Sequence, residues 1–168
     1  MILRRVGVAG IVACVVALAW YLGSPLFLRT TVNEALPTAR PTLAAGSASV
    51  SVTASPPSSP VTLASGELGR VDALHNGTGA VLLVRTGDLI VLRFENVAIT
   101  NAPDVHVYLS SEQGGRWNEA TSVYLGPLKA TDGSFNYVVP GESNSPLARS
   151  VVVWCRQFSV LVTWADLH

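Results

Sequence analysis

From residue 62 to the C-terminus the chain is divided into short β-branched and aromatic runs, separated by stretches containing Gly, Asn, Asp or Pro. No run of 10 or more residues in this region carries a helical period. That punctuation limits the chain to strands and turns. The runs are "GAVLLV" (79–84), "LIVLRFE" (89–95), "DVHVYLS" (104–110), "TSVYLGPL" (121–128), "SFNYVV" (134–139), "SVVVW" (150–154) and "FSVLVTW" (158–164), with "GELGRVDA" (66–73) as a further edge strand. Alternation assigns faces: Ile90, Leu92 and Phe94 lie opposite Arg93 and Glu95, and Val105, Val107 and Leu109 lie opposite His106 and Tyr108. Seven or eight short strands predict an all-β antiparallel β-sandwich over 62–168. Strand spacing leaves both an immunoglobulin-like and a jelly-roll order open.

Upstream, residues 1–28 carry Arg4 and Arg5 and then no charge from Val6 to Leu28, a length that can cross a bilayer as a helix. The arginines favour a cytoplasmic N-terminus, which makes the chain a single-pass protein of the cell membrane with its C-terminal domain outside. "ALA" (17–19) also fits signal-peptide cleavage, and "IVAC" (11–14) resembles a lipobox that would lipidate Cys14. All three readings export the domain. Residues 29–61, rich in Ala, Ser, Thr and Pro and including "SPPSSP", predict a disordered linker, with "TTVNEALP" as the one part that orders, as a helical turn. From residue 62 onward seven basic and ten acidic side chains leave a net of −3 and no basic stripe, so nucleic acid is not an expected partner.

The domain holds one cysteine, Cys155, which alternation places on one face with Val151 and Val153. A lone thiol is commonly a small core residue, whereas in an exported protein it also suggests a reactive group or an intermolecular bond. Cys155 with His75 and His106 would supply the equatorial ligands of a blue-copper site. However, the only methionine is Met1, and nothing after Cys155 has the usual ligand spacing. No haem-attachment motif occurs, so no cofactor is expected, with copper and haem as alternatives. Asp104 at its strand start either bonds its own turn or orients His106 or the thiol. His75 in "ALHNGTG" closes a turn, "NGT" (76–78) is a glycosylation sequon, Trp154 packs on its strand, and Trp117 lies in an exposed loop as a recognition contact. No nucleophile elbow, zinc-ligand spacing or phosphate loop is present, so enzyme activity of a familiar kind is not expected.

Four blocks together resemble the DM-thirteen domain family over 66–168: "GELGRVDALHNGTGAV", "LRFENVAITNAPDVHVYLS", "LGPLKATDGSFNYVVP" and "SVVVWCRQFSVLVTWADL". The family also places a single cysteine in this penultimate strand. "NAPD" departs from it, with Ala102 where glycine usually precedes the proline. The resemblance implies an extracellular β-domain acting in electron transfer, with Cys155 as its redox group and a redox protein as partner. The alternative is a binding or adhesion module in which Cys155 belongs to the core and the loops meet a partner.

Overall fold

A computed structural model describes residues 10–18, 20–21, 29–37, 59–118, 120, 122–141 and 148–168. The described residues form nine strands: β1 (Thr31–Asn33), β2 (Val61–Glu67), β3 (Gly77–Thr86), β4 (Leu89–Ile99), β5 (Val105–Ser110), β6 (Ser122–Pro127), β7 (Asp132–Val138), β8 (Ser150–Cys155) and β9 (Val160–Asp166). They make a five-stranded sheet of order β1-β7-β4-β3-β2 and a four-stranded sheet of order β6-β5-β8-β9. All pairings are antiparallel except β1 with β7. The expected sandwich is present, and this order replaces the two left open by the sequence.

The alternating apolar positions explain the layering. Val81, Leu92, Phe94 and Phe135 from one sheet and Val107, Val151, Val153 and Val162 from the other have no solvent exposure. They share one core cluster. Phe94 stacks on Phe135 with ring centroids 5.0 Å apart, and Tyr137 meets Phe94 edge-on at 5.9 Å. The Tyr137 hydroxyl donates to Pro127 O at 2.9 Å and accepts from Lys129 N at 2.9 Å, so its polar end is satisfied inside the sandwich. Burial pushes this phenol well above its usual pKa. At one edge the sheets are joined, because Ser65 and His168 exchange two backbone hydrogen bonds of 3.0 Å.

Two segments differ from the sequence reading. "TTVNEALP" forms strand β1 instead of a helical turn. The β-branched Thr31 and Val32 suit an extended edge, and Val32 packs against the core. Glu34 then secures the strand: its Oε2 accepts from Asn136 N at 2.9 Å, and its Oε1 accepts from Lys129 Nζ at 2.9 Å. Partial burial raises the Glu34 carboxyl pKa, but the hydrogen bonds from Lys129 and Asn136 outweigh this and hold it below the ordinary range. The edge strand expected over 66–73 begins earlier, at Val61, and ends at Glu67. Its Ser, Ala and Gly content hides it, and pairing with β3 supplies the stability that propensity lacks.

Among the described residues no helix is long and apolar enough to cross a membrane. Residues 10–18 and 20–21 are helical, and the rest of the expected span over 6–28 lies outside the described residues.

Candidate functional site

Strand β5 is buried on both faces. Val105, Val107 and Leu109 enter the core, while His106 and Tyr108 turn outward and are covered by neighbouring side chains. Register supplies the neighbours: Trp154 of β8 lies opposite His106, and Tyr124 of β6 lies opposite Tyr108. The register between β5 and β6 shifts between Val107 and Tyr108, near Gly126, whose φ is 136°. That bulge brings Tyr124 back toward the His106 end of β5.

A hydrogen-bonded series runs along this outer face. Asp104 sits at φ 57°, a left-handed conformation that Asp tolerates because its short side chain bonds locally. Its Oδ1 is 2.7 Å from His106 Nε2, and His106 Nδ1 is 2.9 Å from Tyr124 Oη. A carboxylate only accepts, so it fixes the proton on Nε2. In the neutral ring Nδ1 is then an acceptor, and the Tyr124 hydroxyl donates to it. The backbone O of Asp104 accepts from Arg156 N at 3.0 Å, tying the turn to the end of β8.

The rings continue the series. Tyr124 and Tyr108 are 5.3 Å apart, Tyr108 and Trp117 stack at 4.3 Å, and Trp117 meets Trp154 edge-on at 5.3 Å. The Arg156 guanidinium lies 4.6 Å from the Tyr124 ring centre and donates from Nε to Tyr108 Oη at 2.7 Å. This hydrogen bond to Tyr108 raises the Arg156 pKa further. Trp117, expected to be exposed, is folded onto the sheet instead. Its loop is held by Ser110 Oγ donating to Arg116 O at 2.8 Å and by Ser150 Oγ donating to Glu112 O at 2.6 Å.

Cys155 lies on the other face of the same sheet. It is paired with Val105, fully buried within the core cluster, and its Sγ donates to Pro103 O at 2.8 Å. It is not in a disulfide, and neither is the exposed Cys14. His75 is remote from both. It closes a turn with Asp72, whose Oδ1 accepts from Leu74 N and His75 N at 2.6 and 2.7 Å and whose Oδ2 lies 2.8 Å from His75 Nδ1. The bond to His75 and these two amides draw the Asp72 pKa down to about 2. The structure therefore brings Asp104, His106 and Trp154 to one face, sets Cys155 behind them and leaves His75 apart. The copper ligand set of Cys155, His75 and His106 is divided by the sheet. Among the described residues no group of three His, Cys, Asp or Glu side chains is placed to hold a metal.

Tyr108 and Tyr124 were not among the candidate site residues read from the sequence. Alternation in "DVHVYLS" already puts Tyr108 beside His106, which is the available signal. Tyr124 depends on the bulge, and no periodicity shows that.

No curated protein and no solved structure matched the chain. The sequence profile of the family described as "Electron transfer DM13" matches residues 70–167, from the turn after β2 to the end of β9. That range covers more than half of the chain and includes every residue of the outer-face series: the chain belongs to the electron-transfer DM13 family.

Proposed function

We propose that this chain is a membrane-tethered, extracytoplasmic electron-transfer module. The observation that carries the reading is the family match over 70–167. The uncharged sequence of residues 6–28 supplies the tether, and Arg4 and Arg5 set its direction. The outer face adds physical support: four aromatic rings in mutual contact reach from the half-exposed Tyr124 to Trp154.

In this reading Cys155 is a positioning residue. A thiolate is the reactive form, whereas this thiol donates to a carbonyl inside the core, out of a partner's reach. Its work is to fix the Pro103–Asp104 turn from beneath while electrons pass on the outer side. A second reading, Cys155 as the redox group itself, is favoured by its lack of a disulfide partner and its place beside that turn. The binding alternative keeps its premise that Cys155 belongs to the core, but loses its exposed loop contact, since Trp117 packs on Tyr108 and Trp154.

The test mixes the full chain in detergent, wild type and Cys155→Ala, with one-electron metal complexes, and follows oxidation by stopped flow. Exchange that persists in the folded variant is the expected result. Loss confined to Cys155→Ala moves the redox role to the thiol. Absence of exchange in both proteins overturns the electron-transfer reading.

A further inference from the structure

We propose that Tyr124, His106 and Asp104 form a proton-coupled one-electron redox site, with Tyr124 as the group that is oxidised. This deepens the electron-transfer reading and rests on it for its partner, an oxidised metal centre that approaches the outer face. In the forward step Tyr124 loses one electron to that centre, which is reduced by one unit, and the phenolic O–H bond breaks. The proton passes to His106 Nδ1, leaving a neutral phenoxyl radical and an imidazolium. Return of one electron from a donor reverses both transfers, so no proton leaves the protein.

Three features make Tyr124 the site. It has a base in place: Nδ1 is 2.9 Å from Oη, and Asp104, 2.7 Å from Nε2, holds the neutral ring's proton on Nε2 so that Nδ1 accepts, and balances the imidazolium that forms. Next, the Arg156 cation over its ring opposes removal of an electron alone, so the electron leaves readily only if the proton moves with it. Finally, Tyr124 is 43% exposed, which lets a partner approach the ring edge. Tyr108 also lies under Arg156, at 5.7 Å, but differs in the first and third features: its oxygen accepts from the Arg156 cation instead of facing a base, and it is 3% exposed. Tyr108, Trp117 and Trp154 instead extend the ring contacts from Tyr124 across the sheet.

The experiment is flash oxidation of the full chain in detergent micelles with a photo-oxidised ruthenium polypyridyl complex, read by transient absorbance and freeze-quench paramagnetic resonance in H2O and D2O. The wild type is expected to give a phenoxyl radical with a deuterium isotope effect, and Tyr124→Phe is expected to lose it. Asp104→Asn tolerates the same positive φ, but its amide can donate to Nε2 and turn Nδ1 into a donor, so oxidation should slow about tenfold or more. Circular dichroism melts establish that each variant is folded. A phenoxyl signal that survives in folded Tyr124→Phe, or an unchanged rate in folded Asp104→Asn, overturns the proposal. A radical on Tyr108, Trp117 or Trp154 in those variants leaves electron transfer by the module standing without Tyr124. Oxidation no faster than in the urea-unfolded chain removes both.

Discussion

Replacing Cys155 with Ala isolates the structural contribution of this thiol. The substitution deletes one sulfur from a site with no solvent exposure, a transfer loss of about 1 kcal/mol, comparable to one buried methylene. A cavity of that size adds roughly 0.5 kcal/mol. It also removes the donor to Pro103 O. Pro103 is only half-buried, so water can replace the lost partner in part, and the cost is about 1 kcal/mol, at the low end for an unpaired carbonyl. The sum is roughly 2–3 kcal/mol, or a melting temperature lower by about 10 °C for a domain of this size. Cys155→Ser keeps a donor aimed at Pro103 and should lose less than Ala. The assay is urea unfolding of the full chain followed by far-ultraviolet circular dichroism, with a thermal melt as the second probe. A change below about 0.5 kcal/mol in Cys155→Ala, or a greater loss in Ser than in Ala, would refute the idea that the thiol pins this turn.

Glu34 has a lowered folded-state pKa, so its contribution is present above the unfolded value near 4.5 and fades as the pH falls through the folded value. Glu34→Gln should remove that part of the acid destabilisation, which urea titrations at stepped pH below 4.5 would detect. Asp72 should titrate with a midpoint of about 2 by carboxyl NMR shifts, returning toward 3.8 in His75→Ala because the largest cause is the hydrogen bond to His75. An unchanged midpoint in that variant would sink the assignment.

The strands of the sandwich were readable where local pattern and tertiary need agree. In "LIVLRFE", alternation put Leu92 and Phe94 inside, and both are fully buried. Cys155 shares the inward face read for Val151 and Val153, and its burial follows directly. Strand β1 escaped because its stability comes from β7, a hundred positions away, and from Glu34, whose partners Lys129 and Asn136 are equally distant in sequence. At the site, His106 and Tyr108 could be placed on one face by period alone. Tyr124 could not, because the β5–β6 bulge resets the period there. Trp117 misled for a similar reason. "SEQGGRWNEA" reads as a solvent loop, but Gly114 and Gly115, at φ 69° and 71°, turn it back over the sheet. Backbone conformations of that kind depend on the contacts they make possible.

Strand β1 also changes what the N-terminal half can do mechanically. β1 and β2 occupy opposite edges of one sheet, about 19 Å apart across four strand spacings. The described residues on either side of the proline-rich stretch therefore both belong to the sheet. With residues 6–28 inserted as proposed, only Arg29 and Thr30 separate the bilayer from the sheet, and Arg29 is itself paired with Asp132 at 2.7 Å. The domain is then on a short leash, with its β1 edge facing the lipid. On the proposed tethering, a partner that exchanges electrons with the domain would have to come to that height above the membrane, which would favour one anchored in the same bilayer.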